Sequence, residues 1–136
     1  MTSLRSELII DPSIVQENIN YLKTLIPNNS HFMAVIKSDA YGHIMENLLE
    51  HIDCSVDGYG TVRIDEAIRI RERSNKKILL MTGVYSESDL EIATKHNLDL
   101  VIHNKEQFEL IKKNNFYNNL WFKINTGMNR LGFEEK

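Results

Sequence analysis

Lys37 closes the run Met33-Ala34-Val35-Ile36-Lys37, and a phenol and an imidazole follow in Tyr41-Gly42-His43. Period-two alternation puts Met33, Val35 and Lys37 on one face of a strand and Ala34 and Ile36 on the other. Parallel α/β folds carry their reactive groups at such strand ends. A lysine there, its stem half covered, can be held at a lowered pKa and form a Schiff base with a carbonyl cofactor. The plainer reading is a strand-end lysine snorkelling to water. Tyr41 shifts the balance towards chemistry, because a phenol four residues on, with Gly42 permitting tight backbone passage, can orient an anionic group beside the amine.

A second constellation is Trp121-Phe122-Lys123-Ile124-Asn125-Thr126-Gly127-Met128-Asn129-Arg130-Leu131-Gly132-Phe133. Trp121, Lys123 and Asn125 share one strand face. If that face looks into a barrel, Lys123 is a buried cation, which is costly unless neutralised. Arg130 cannot neutralise it, being a cation itself. Three solutions remain open: Lys123 reaches solvent, a carboxylate comes from elsewhere, or the lysine is modified.

The elements that must position these groups recur with a period. Five β-like runs, Met33–Lys37, Gly58–Val62, Ile78–Gly83, Leu98–His103 and Leu120–Gly127, start 20 to 25 residues apart. That is the length of a strand plus a crossover helix. A helix is predicted from Asp11-Pro12 to about Leu25, with Asp as N-cap and Pro at the first helical position. Another is predicted over Ile44–Cys54, where Ile44, Leu48 and Ile52 form an apolar stripe. Ser86 with Asp89, and Asn104 with Gln107, carry capping chemistry at two further helix starts. The order is a helix, four strand–helix units and a fifth strand. Two α/β architectures fit: a partial (β/α)8 barrel of the TIM type with about five parallel strands present, or a five-strand doubly wound sheet. The ending Glu134-Glu135-Lys136, where a covering helix should begin, favours the partial barrel.

Composition narrows the function classes. Hydrophobic residues make up 42% of the 136, and 16 basic against 19 acidic residues leave a net charge of −3 without blocks of either sign. No basic stripe suits a nucleic acid. The longest apolar run, Ile78-Leu79-Leu80-Met81, is far short of the roughly 18 residues of a membrane span. Met1–Asp11 has no apolar core of a secretory signal. Cys54 has no partner cysteine, which suits a reducing, cytoplasmic setting. His31, His51, His96 and His103 lack metal-ligand spacing and read as surface or helix-end residues, so no metal is expected. Gly58-Tyr59-Gly60 reads as strand packing, and Tyr59, Phe108, Phe116 and Trp121 as core or interface aromatics.

Ala34-Val35-Ile36-Lys37-Ser38-Asp39-Ala40-Tyr41-Gly42-His43 resembles the pyridoxal-phosphate lysine signature of bacterial alanine racemases, and Lys123-Ile124-Asn125-Thr126-Gly127-Met128-Asn129-Arg130-Leu131-Gly132 resembles a second signature of that family. Tyr59-Gly60, Asp65-Glu66-Ala67 and Leu98 to His103 sit where similar family segments sit. The resemblance implies pyridoxal 5'-phosphate as cofactor and interconversion of L- and D-alanine, supplying D-alanine for peptidoglycan, in a cytoplasmic homodimer with no nucleic-acid or membrane partner. It implies Lys37 as the lysine that carries the cofactor and as the base on the D-enantiomer's face. It implies Tyr41 at the cofactor phosphate, Arg130 at the cofactor's phenolic oxygen and the substrate carboxylate, and Lys123 as a carbamylated lysine paired with Arg130.

On this resemblance residues 1–136 are an incomplete N-terminal barrel domain. The later strands, their phosphate-binding loops and a C-terminal β domain with the tyrosine base of the opposite face are absent, so the chain alone is expected to be inactive. Two residues depart from the family pattern. Ile44 stands where a further Gly is usual, altering the loop locally, and Arg63 replaces a capping hydroxyl residue. Other readings keep the cofactor with another substrate, as in a broad-specificity amino-acid racemase or a related decarboxylase, or give up catalysis, as a truncated cofactor-binding or interaction module.

Overall fold

Asp11 and Pro12 start the first helix as the sequence predicts. In the computed structural model, which describes residues 7–116 and 118–134, helix α1 spans Pro12–Thr24. The Asp11 carboxylate accepts from the Ser13 N–H at 2.9 Å and from its hydroxyl at 2.6 Å. Those bonds hold the Asp11 carboxyl below its ordinary pKa. The first six residues of the Met1–Asp11 stretch and the Glu135-Lys136 end lie outside the described residues.

After α1 come β1 (Met33–Val35), the helical turn α2 (Lys37–Gly42), α3 (Met45–Ile52), a 3-10 turn (Asp53–Ser55) and β2 (Gly58–Thr61). Then follow α4 (Ile64–Arg71), β3 (Lys77–Leu80), α5 (Glu87–Lys95), β4 (Asp99–Ile102), α6 (Lys105–Lys113) and β5 (Leu120–Phe122). The strands form one sheet in the order β1-β2-β3-β4-β5, every neighbouring pair parallel. A doubly wound sheet reverses its order at a switch point so that helices cover both faces. Here no reversal occurs, and right-handed crossovers to the next neighbour put the helices on one face. The doubly wound alternative is excluded; the fold is the five-strand portion of a barrel-type α/β domain.

Strand phase separates the two faces, although β2, β4 and most of β3 are buried on both. Tyr59, Ile78, Leu80, Leu100 and Ile102 are at most 2% exposed and belong to the apolar core that also holds Ala67, Ile70 and Leu90 of the helices. Each such side chain contributes about 1.5–3 kcal/mol by leaving water. The opposite face carries Val35 and Trp121, 40% and 45% exposed. That second face is the one on which Lys37 and Lys123 stand in strand phase. Among the described residues no helix is long and apolar enough to cross a membrane.

Strands end earlier than their apolar patterns. The ladder continues one bond past β1, from the Ile36 N–H to the Gly60 carbonyl at 2.9 Å, and one past β5, from the Lys123 N–H to the Ile102 carbonyl at 2.9 Å. Side-chain alternation persists while the backbone already lifts away. The predicted caps form, with Ser86 accepting from the Asp89 N–H and Asn104 from the Gln107 N–H. Gln107, however, does not reach back to Asn104. Its Oε1 accepts from the His103 N–H at 3.1 Å and its Nε2 donates to the Thr82 carbonyl at 2.8 Å, tying the β3–α5 loop to the end of β4.

That tie corrects one expectation. His103 is 6% exposed rather than at the surface, because its Nε2 is enclosed between the Thr82 carbonyl at 3.2 Å and the Tyr85 hydroxyl at 3.1 Å. Tyr59 and Phe116 are buried as expected. Phe108 and Trp121 are not core, at 40% and 45% exposed: Phe108 lies on the outer side of α6 against Phe122, and Trp121 points to the open sheet face with its Nε1 donating to buried Asp99 at 3.0 Å.

Between β1 and α3 the backbone takes an uncommon path. Ser38, Asp39, Ala40 and Tyr41 have φ of 54–56°, a left-handed turn, and Ile44 follows at φ 61°. Each non-glycine residue in this region costs about 1–2 kcal/mol. Ile44, the position where the family pattern has Gly, is β-branched and 47% exposed, so it bears strain without compensating burial. Gly83 is the contrary case: at φ +68°, an added Cβ would lie 2.2 Å from the Val101 carbonyl oxygen. Urea unfolding of the intact protein should therefore show Ile44→Gly stabilised by about 1 kcal/mol. Gly83→Ala should be destabilised by about 2–4 kcal/mol. A change of the opposite sign in either variant contradicts the strain assignment.

Candidate active site

β1 delivers Lys37 to the C-terminal end of the sheet. Its side chain is half-buried, and its Nζ lies 5.9 Å from the centroid of the Tyr41 ring, a cation–π approach. Tyr41 itself is 62% exposed. The left-handed turn brings the two together: Lys37 opens it, Tyr41 is its fifth residue, and the Ala40 N–H returns to the Ile36 carbonyl at 2.9 Å. His43 closes the turn with its Nδ1 2.8 Å from the Ala40 carbonyl and is occupied there.

β5 delivers the second group at the opposite edge of the sheet. Lys123, one residue past the strand, is half-buried, and Arg130 is exposed on the loop that follows. This loop is built, not slack. The Asn125 Oδ1 accepts from the Gly127 N–H at 3.1 Å and from the Asn129 N–H at 3.0 Å. The Asn125 N–H donates to the Phe133 carbonyl and the Phe133 N–H to the Lys123 carbonyl, each at 2.8 Å, folding the loop back on its strand. Arg130 lies with Asn125, Asn129 and Glu134 around one shallow cleft.

Lys37 with Tyr41 is thus one cluster and Lys123 with the Arg130 loop another. Four strand intervals of about 4.8 Å separate them along the sheet. In a closed eight-strand barrel the first and fifth strands are diametrically opposed, so long side chains from both edges converge over the mouth. Among the described residues no carboxylate lies within 4.0 Å of Lys37, Lys123 or Arg130. Lys123 is half-buried and so keeps part of its surface in solvent.

The donor set suits pyridoxal phosphate. An amine free of ion pairs can bond its carbonyl, an exposed phenol can donate to its phosphate, and unpaired cations favour its anionic groups. Sequence reading missed the groups beneath the turn. Asp39 accepts from the Met45 N–H at 3.1 Å and from Arg69 at 3.1 Å, and Arg69 holds Glu46 through two bonds of 2.6 and 2.8 Å. A signal existed in Glu66, a charge four residues before Ile70 on the apolar stripe of α4; it is 4% exposed.

The chain as a whole is similar to known proteins. An alanine racemase of Mannheimia succiniciproducens is 40% identical over 121 residues, covering 87% of this chain and 34% of that protein. The structure of alanine racemase from Acinetobacter baumannii superposes with a TM-score of 0.85 at 34% identity, over 93% of this chain and 39% of the other. The biosynthetic alanine racemase of Pseudomonas aeruginosa gives 0.85 at 31% identity, over 91% and 35%. The chain therefore spans little more than a third of the length of these relatives. The sequence model described as alanine racemase, N-terminal domain, matches residues 10–136, which include both lysine-bearing strand ends and the loop of Arg130; the chain belongs to that family.

Proposed function

We propose that the protein carrying this segment is a pyridoxal-phosphate-dependent racemase of alanine, in which these residues supply the first five strands of the cofactor-binding barrel. The observation that carries the reading is the Lys37 amine, half-buried at the end of β1, with no ion pair among the described residues and set over the Tyr41 ring. Pyridoxal phosphate, when bound, supplies an electron-withdrawing ring that stabilises negative charge on the substrate Cα.

The chain's own residues do the rest. With the cofactor bound, the Lys37 Nζ would hold its carbonyl group and, as a free amine, would serve as the base for the substrate Cα proton on its own face. The Tyr41 hydroxyl would donate to the cofactor phosphate. The Arg130 guanidinium, a planar fork, would hold the substrate carboxylate and the cofactor's phenolic oxygen. Lys123 reacts through neutral Nζ with carbon dioxide, forming an N–C bond and losing a proton, so that its end becomes an anion facing Arg130. Inversion requires a proton on the opposite face, and the family resemblance assigns that base to a tyrosine of a C-terminal domain across a homodimer interface. A cytoplasmic location belongs to the same proposal.

Borohydride reduction of the intact, cofactor-loaded protein followed by peptide mapping should find the label on Lys37, and Lys37→Ala should abolish it. A label on another lysine overturns the assignment. Arg130→Lys should lower kcat by about tenfold to a hundredfold while cofactor affinity changes less than about threefold; parallel loss of both makes Arg130 structural. With 13C-bicarbonate, a carbamate NMR signal should appear and vanish in Lys123→Ala. Its absence from the unsubstituted protein leaves Lys123 as a plain amine.

A further inference from the structure

We infer that Glu66 and Arg69 of α4 are positioning residues for Lys37: together they clasp the left-handed turn that carries it and so set where its amine points. This rests on reading Lys37 as the cofactor lysine. The two residues are three apart and share a face of α4. Glu66 Oε1 accepts the Asp39 N–H at 3.2 Å, while its Oε2 accepts from the Thr61 hydroxyl at the end of β2. Arg69 donates from Nη2 to the Asp39 carboxylate at 3.1 Å and from Nη2 and Nε to Glu46 of α3 at 2.8 and 2.6 Å. Asp39 is thus held by its backbone N–H and by its side chain at once.

The turn is strained: its four left-handed residues are L amino acids in a conformation that persists only where surroundings over-determine it. At its ends the Ala40 N–H donates to the Ile36 carbonyl and the His43 N–H to the Ala40 carbonyl. Ties beyond the turn run from Asp39 to Glu66 and Arg69 of α4 and, through the Met45 N–H on the Asp39 carboxylate, to α3. Lys37 lies two residues before Asp39 and Tyr41 two residues after, so the centre of the clasp is the midpoint of the amine–phenol pair. Released, the turn relaxes towards right-handed or extended backbone, and the Lys37 amine leaves the Tyr41 ring for water. Neither α4 residue is close in sequence to Lys37, and neither needs to touch cofactor or substrate.

The test uses the intact protein and two probes of Lys37. Reductive methylation with formaldehyde, quantified per lysine by mass spectrometry, reads the exposure of the amine without any cofactor. Capture of pyridoxal phosphate by borohydride reads its orientation. In Glu66→Ala and Arg69→Ala, methylation of Lys37 should rise several-fold with the other lysines unchanged, which separates release of the turn from unfolding. Capture should slow by about tenfold to a hundredfold, the scale of an ångström-sized misplacement. Glu66→Gln keeps an acceptor for the Asp39 N–H and should restore both rates to within about threefold. Arg63→Ala, which breaks only the exposed pair with Asp65, should change neither. Should Glu66→Ala not fold, Arg69→Ala, whose side chain is 40% exposed, carries the same comparison. Unchanged methylation and capture in a folded Arg69→Ala overturn the clasp while leaving the proposed function standing. So does Glu66→Gln impaired as deeply as Glu66→Ala. If methylation responds but the unsubstituted protein captures no cofactor at Lys37, the proposed function fails and the clasp survives as a device that orients an amine.

Discussion

Each strand in this chain pairs with the one before it, always parallel and always on the same side. Because crossovers are right-handed, every helix then lands on one face of the sheet. Among the described residues the other face receives no helix. From this one constraint follow a helix-covered side and a helix-free side of the sheet, the placement in strand phase of Lys37 and Lys123 on the helix-free side, and the gathering of loop residues at the C-terminal end.

The open face differs from the covered one in kind. On the helix side the sheet offers Ile78, Leu80, Leu100 and Ile102, fully enclosed apolar chains. On the open side it offers Gly58 and Gly60, Leu79 and Val101, the buried Asp99 with its Trp121 and Lys77 partners, and the two lysines at the strand ends. Charge on this side is asymmetric along the strands. At the N-terminal end Lys77 is 3.7 Å from the Asp99 carboxylate, while the cations at the C-terminal end have no such partner among the described residues. The ion pair thus lies at the N-terminal end of the strands and the lysines of the helix-free side at the C-terminal end.

Stability and chemistry are coupled at α2. Left-handed backbone over four residues is the least favourable local structure in the chain, and it sits between the amine and the phenol. Its cost is offset by hydrogen bonds to α4, whose own packing through Ala67 and Ile70 is part of the core. The core that stabilises the fold is thus tied to the turn that carries Lys37. The loop of Arg130 solves a similar problem by local means, through the Asn125 side chain and the return of Phe133.

Much was legible in the sequence. Regular spacing marks all five strands, because each strand with its crossover helix takes a similar length of chain, and period-two alternation marks the faces of the first and fifth. Asp11-Pro12, Ser86 and Asn104 mark helix starts, because capping is satisfied within three residues of chain. The strand-end position of Lys37 and its partnership with Tyr41 were readable for the same reason: both are local. What tertiary structure alone decided involves groups far apart in the chain. Strand order, and with it the choice between a barrel portion and a doubly wound sheet, depends on pairings that both architectures write with the same periodicity. The burial of His103 depends on Thr82 and Tyr85, some twenty residues earlier. The hand of the turn after Lys37 depends on Glu66 and Arg69, which no local pattern connects to it. Periodicity records which side of an element is buried; it carries no information about which distant polar group waits there, and that is settled only when the elements pack.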